Sequence, residues 1–327
     1  MEWKYCEEML PKVSRTFALN IVKLDGETYK AVTISYLLFR IADTFEDNLY
    51  QNEDEKIKDL LQFLKIFEGD KDLNERLNLY ESLKFQWKEN SSEKELVENG
   101  DRVLKCYFDL PSVYRQIIDP LLVESVEGMA KFQKRKLETS AKIFQLQDLK
   151  DLEEYCYYVA GIVGIMLTRI FSLRKDISPI KSELEKYQVQ FGLALQLTNI
   201  LKDWQKDLNR GWCYIPYSIT NIENINNLST KQQMGIIKDM IPCILTHFDS
   251  ALKYIEIIPE RERSIRLFCI IPFVLAYNTL NYIMKMEADK IPREQVQNIL
   301  EMSNNYADSN QLLKEDYLII RNIAYFN

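Results

Sequence analysis

Glycine and proline are scarce in this sequence, nine of each among 327 residues. A sheet protein of that length needs many tight turns, so the scarcity favours long helices. Histidine is nearly missing. With His247 alone, a histidine-based metal site or catalytic triad has little material. Six cysteines, at 6, 106, 156, 213, 243 and 269, form no CxxC pair and no disulfide-framework spacing, so isolated thiols in a reducing cytoplasm are expected. The longest apolar runs, Tyr157–Leu167 and Leu267–Tyr277, fall short of the roughly 18–20 residues of a spanning helix. The N-terminal MEWKYCEEMLPKVSR lacks the apolar core of a signal peptide. No basic tail or stripe offsets a net charge of −7, which disfavours nucleic acid as a partner. An acidic chain still binds a polyanion when metal ions mediate, so this excludes less than its sign suggests.

What is present fits a soluble helical protein with a large core: 46% apolar and 28% charged residues. No linker, low-complexity tract or repeat divides the chain, so a single all-α domain over 1–327 is expected. Helical periodicity predicts helices over 27–48, 52–68, 72–90, 92–108, 112–137, 147–174, 180–208, 230–257, 262–289, 292–304 and 310–324. Breaks coincide with Gly69, Pro111, Pro179, Gly211 through Pro216, Pro259 and Pro292. Segments 155–171 and 267–283 are apolar around their whole circumference and belong inside a bundle. Gly161 and Gly164 clear one face of the first for a partner helix or a ligand, and Pro272 is expected to bend the second and open space beside it.

Two acidic constellations stand out. In Tyr36-Leu-Leu-Phe-Arg40-Ile-Ala-Asp43-Thr-Phe-Glu46-Asp47, the two aspartates lie four apart on one helix face, with Arg40 and Tyr36 continuing the stripe. In the second, Gln196, Asn199, Asp203 and Asp207 follow steps of three, four and four, behind the apolar Phe191–Leu195 stretch. That setting predicts Gln196 and Asn199 at depth, where their amides must meet each other, a metal or a ligand. Like charges four apart weaken their own helix unless a cation neutralises them. Mg²⁺ suits them, because it prefers hard oxygen ligands and is usually shared with substrate phosphate. One DxxxD is ordinarily a solvated helix face. Two, each on an otherwise apolar helix with companions in register, point to a metal–diphosphate site in which the pairs face one another.

At these residues the sequence resembles the squalene/phytoene synthase family, over roughly 5–285 and through several independent motifs. Ser14-Arg15-Thr16-Phe17 looks like the family's N-terminal phosphate-contact segment, and Tyr36 through Asp47 like its first aspartate-rich motif. Tyr155 through Gly164 is similar to its central helix. Gln196-Leu-Thr-Asn199-Ile-Leu-Lys202-Asp203 through Asp207, then Arg210 through Pro216, is similar to the second motif and its exit loop. The resemblance implies an all-α bundle around a deep cavity, with Mg²⁺ held by Asp43, Asp47, Asn199, Asp203 and Asp207. Ser14, Arg15, Thr16, Tyr36, Arg40, Gln196, Lys202 and Arg210 would contact diphosphate, with Lys12 a further candidate cation. Arg40, Tyr155 and Phe268 would be catalytic, the two aromatics stabilising carbocations without trapping them. Without the family, both rings read as core aromatics and each basic residue as surface charge. Gly161 and Gly164 would give prenyl tails room.

The implied enzyme is a prenyltransferase. It would ionise one farnesyl diphosphate, capture the allylic cation with a second, and pass through presqualene diphosphate to squalene with hydride from NADPH. Leu24-Asp-Gly-Glu27, Val163 through Ser172 and Phe268 through Pro272 are closer to squalene synthases than to phytoene synthases. Lys202 stands where the family more often has arginine, keeping charge but losing the bidentate fork, and Thr16 stands for a usual serine. After residue 285 the NADPH-associated loop and C-terminal anchor of eukaryotic squalene synthases are not recognisable. The alternatives are a dehydrosqualene or phytoene synthase ending in proton loss, the latter on geranylgeranyl diphosphate, and an inactive isoprenoid-binding or scaffold member. A cytoplasmic monomer touching membrane peripherally for product release completes the expectation.

Overall fold

The computed structural model describes residues 1–14, 16–84, 91–139, 141–221, 225, 228–285 and 291–326. Two compact units account for them, Met1–Ser140 and Ala141–Asn327. Both are helical. The strands among the described residues are β1 (Phe144–Gln145) and β2 (Trp212–Cys213), a two-residue parallel pair in the second unit.

The first unit contains α1 (Glu2–Val13), α2 (Phe17–Ile21), α3 (Gly26–Glu46), α4 (Glu53–Leu64), α5 (Leu73–Glu81), α6 (Ser92–Glu98), α7 (Gly100–Phe108) and α8 (Ser112–Leu137). Its centre is α3, buried on nearly every side between Ala31 and Glu46, with α1, α4, α6, α7 and α8 packed around it. Phe45, Phe63, Phe67 and Tyr107 form a chain of edge-on rings 5.3–5.8 Å apart, each favourable beyond its area burial. Capping boxes at Asn52/Glu55 and Asp72/Glu75 start α4 and α5, each worth about 1 kcal/mol. The single helix expected over 92–108 breaks at Asn99, and a β-carbon on Gly100, which opens α7, would lie 2.0 Å from the Tyr80 hydroxyl. The helix expected over 72–90 ends at Glu81, and 85–90 lie outside the described residues.

The second unit contains α9 (Leu149–Cys156), a π-helical turn (Tyr157–Gly161), α10 (Ile162–Phe171), α11 (Lys181–Leu184), α12 (Gln188–Asn209), α13 (Tyr217–Thr220), α14 (Thr230–Ile257), α15 (Arg263–Met284), α16 (Arg293–Ala307) and α17 (Asn310–Phe326). Here α12 is central, packed by α10, the π turn, α14 and α15. The helix expected over 147–174 is helical from Leu149 to Phe171 but passes through the π turn. Glycine explains how close the neighbours come. A β-carbon on Gly164 would lie 2.0 Å from the Gln188 carbonyl oxygen, and one on Gly192 2.3 Å from that of Ala160. The faces cleared by Gly161 and Gly164 are therefore filled by α12, including Val189 and Leu193, which corrects the expectation that they make room for prenyl tails. Gly164→Ala must push α12 aside; it is expected to destabilise by roughly 1–3 kcal/mol, an overpacking cost read from the urea midpoint, and an unchanged midpoint would contradict this packing.

Pro272 lies inside α15, which runs on to Met284. By length and composition α15 could cross a membrane, with mean hydropathy 1.6 over 18 residues. This exceeds the sequence expectation because Leu280, Ile283 and Met284 carry the apolar character past the polar but uncharged Asn278, Thr279 and Asn281. In this protein 61% of that window is buried inside the fold, as a core helix is.

Candidate active site

In the first unit, the end of α3 carries the first acidic pair. Asp43 is in the last turn and Asp47 at the C-cap, where helix carbonyls already concentrate negative potential. Two carboxylates there oppose the dipole and each other. The Asp43 side chain keeps 38% of its surface open, while surrounding protein and then Asp47, against the pull of Arg40, push its carboxyl up to about 7. Arg40 lies 4.0 Å from Asp43 and donates to Glu93 of α6 at 3.0 Å. Its Nε is buried and has no hydrogen-bond partner. A recess of about 250 Å³ opens here, lined by Arg40, Thr44, Asp47, Asn48 and Glu93.

Tyr36 donates to the Val13 carbonyl at 3.4 Å and faces Ser14, whose Oγ accepts from the Phe17 amide at 2.9 Å. Thr16 is exposed at the start of α2, and Arg15 lies outside the described residues. Lys12 pairs with Glu95 at 2.7 Å on the surface.

In the second unit, α12 carries the other pair. Lys202 donates to Asn199 Oδ1 at 2.9 Å and sits 3.1 Å from Asp203, and Lys206 also donates to Asp203. Burial alone would raise the Asp203 carboxyl, but Lys206 and Lys202 hold it below its usual range. Asp207 is buried, with Arg210 3.5 Å away. Contrary to expectation Asn199 is exposed and Gln196 only half-buried. The neighbouring Leu193, Ala194, Leu197 and Thr198 take the inward face of α12 and turn the amide stripe outward.

Tyr155 is buried, donates to the Tyr214 hydroxyl at 3.1 Å and stacks on that ring at 4.4 Å; Trp212 also stacks on Tyr214, at 5.3 Å. Phe268 is buried edge-on to Phe171, 5.4 Å away. Sequence reasoning passed over Glu93, Lys206 and Tyr214. Lys206, three residues after Asp203, was legible from spacing; Glu93 reaches Arg40 only through the fold.

The squalene/phytoene synthase model matches residues 10–299. The chain belongs to this family. Squalene synthase 1 of Arabidopsis thaliana is 30% identical over 290 residues, 85% of this chain and 64% of that protein. Squalene synthase of Schizosaccharomyces pombe is 30% identical over 286 residues, 86% of this chain and 59% of its own length. The chain thus spans somewhat under two thirds of these relatives. Among solved structures, a ligand complex of TcSQS superposes with TM-score 0.77 at 23% identity, covering 98% of this chain and 91% of that one. A dehydrosqualene synthase complex gives 0.65 at 20% identity, covering 93% and 96%. These likenesses establish the all-α fold of the squalene/phytoene synthases.

Within the family match lie both acidic helices, Tyr155 and Phe268; α17 lies beyond it. The donors suit Mg²⁺, because Asp43, Asp47, Asn199, Asp203 and Asp207 offer hard carboxylate or amide oxygens. The unpartnered Arg40 Nε beside Asp43 suits an anionic ligand.

Proposed function

We propose that the protein condenses two farnesyl diphosphates head to head, through presqualene diphosphate, to squalene. The observation that carries this reading is the two aspartate pairs, each among cationic side chains and each within the family match. Asp43, Asp47, Asn199, Asp203 and Asp207 are the residues that would hold Mg²⁺. When bound, the ion supplies Lewis acidity as a carbon–oxygen bond ionises. Arg40, with its unpaired Nε, donates to diphosphate oxygens, as do Ser14, Arg15, Thr16, Tyr36, Gln196, Lys202 and Arg210. Lys202, Lys206 and Arg210 occupy the α12 acids until a stronger cation displaces them.

One diphosphate leaves with its bonding electron pair, and the double bond of the second substrate attacks the allylic cation. Proton loss then closes the cyclopropane of presqualene diphosphate. A second ionisation and rearrangement would leave a cation, and NADPH, when bound, would supply the hydride that completes squalene. Tyr155, stacked on Tyr214, and Phe268 present electron-rich faces to such cations and offer no basic atom to trap them. The buried apolar surroundings of these rings exclude water. A cytoplasmic monomer touching membrane peripherally suits the apolar product.

Incubating the protein with farnesyl or geranylgeranyl diphosphate and Mg²⁺, with and without NADPH, identifies the product by mass spectrometry. Squalene formed only with NADPH is expected. Dehydrosqualene or phytoene irrespective of NADPH would move the protein to the branch ending in proton loss, and no condensation product in any mixture would overturn the synthase reading.

A further inference from the structure

A second group of ligating side chains lies in the second unit, apart from the acidic stripe of α12. Glu153 comes from α9; Cys243 and His247, one turn apart, come from α14. One donor atom from each lies within 4.8 Å of the other two. His247 is only 8% exposed, and its Nδ1 is buried with no hydrogen-bond partner. Its Nε2 stands 3.6 Å from Glu153 Oε1, beyond hydrogen-bond length. An imidazole so placed has lost water at Nδ1 and regained no partner there, a costly state for a buried polar atom. Glu153 is nearly half open and Cys243 partly exposed, so solvent ions can reach the group.

We propose that Glu153, Cys243 and His247 form a binding site for a late first-row divalent cation of the Zn²⁺ type, with water completing the coordination. The donors decide the metal class. Nitrogen and sulfur ligands select Zn²⁺ or Co²⁺ over Mg²⁺, which takes oxygen almost exclusively. Spacing of four on α14 puts Cys243 and His247 on one face, as a two-ligand helical contribution requires. Burial, then Glu153, pushes the Cys243 thiol up to about 11, and binding releases that proton to solvent as the thiolate forms on the ion. The bound ion fastens α9, which carries Tyr155 two residues further on, to α14. Sequence reasoning discounted this chemistry because there is one histidine; the fold supplies the other two donors.

Reduced, Mg²⁺-free full-length protein titrated with Co²⁺ tests the site. One equivalent is expected to bind with a thiolate-to-cobalt charge-transfer band, which Zn²⁺ abolishes and Mg²⁺ leaves unchanged. Cys243→Ser should lose the band, His247→Gln should weaken Zn²⁺ binding more than about 100-fold, and Cys156→Ser should keep both. Aspartate oxygens give no such band, so binding at the acidic helices is distinguished. No charge-transfer band at stoichiometric Co²⁺, or the same band persisting in Cys243→Ser, would overturn the proposal.

Discussion

Asp43→Asn and Asp203→Asn are each expected to lower turnover of farnesyl diphosphate by at least about 100-fold, the cost of removing an electrostatic stabiliser from a site where charge develops. Each change removes a negative charge that would help hold Mg²⁺ while keeping nearly the same shape. For Asp43 the fold already opposes the charged form, because burial and Asp47 raise its carboxyl to about 7. The sign follows. A carboxyl whose folded pKa exceeds its unfolded value binds more protons in the folded state, so metal-free stability falls as pH rises from about 4 to 7. Asp43→Asn removes that penalty. The metal-free variant should therefore melt higher than wild type at pH 8 although it is inactive, and scanning calorimetry reads the difference. An inactive variant that also melts lower would show a folding defect instead.

Arg266→Met should produce the largest loss of stability, about 3–5 kcal/mol. Arg266 is fully buried, and among the described residues its guanidinium donates to no carboxylate. Its guanidinium donates instead to the carbonyls of Ile255, Ile258, Tyr306 and Ala307, at 3.2, 2.8, 3.2 and 2.8 Å, and to Asn310 Oδ1 at 2.7 Å. These carbonyls end α14 and α16, where helices leave acceptors unpaired and concentrate negative potential. One cation thus closes two helix ends and anchors the start of α17. Methionine fills the volume and strands the carbonyls; Arg266→Lys keeps charge without the fork and should recover only part of the loss. Urea midpoints measure both, and an Arg266→Met midpoint within about 1 kcal/mol of wild type would contradict this role.

The contrast between these two sites shows what the sequence makes legible. Asp43, Asp47, Asp203 and Asp207 announce themselves through spacing, because helical period alone puts them on common faces. The helices carrying them are legible for the same reason, to within a residue or two at α3. Arg266 gives no local signal, since its acceptors are backbone carbonyls up to 41 residues away and one side-chain oxygen 44 residues away. Glu93 is likewise 53 residues from Arg40. The π turn at Tyr157–Gly161 is invisible to periodicity because one extra residue per turn hardly disturbs an apolar run. Gly161 and Gly164 advertise empty space, and only the fold shows α12 filling it. Asn199 misled through its neighbours: an apolar stretch fixes which face goes inward, and the amide takes the other.

The most direct measurement follows diphosphate release from farnesyl diphosphate as Mg²⁺ is added to wild type, Asp43→Asn and Asp203→Asn. Release that requires Mg²⁺ in wild type and falls at least about 100-fold in both variants is the predicted result. Release that needs no metal, or that survives in either variant at the wild-type rate, would contradict the assignment of the aspartate pairs.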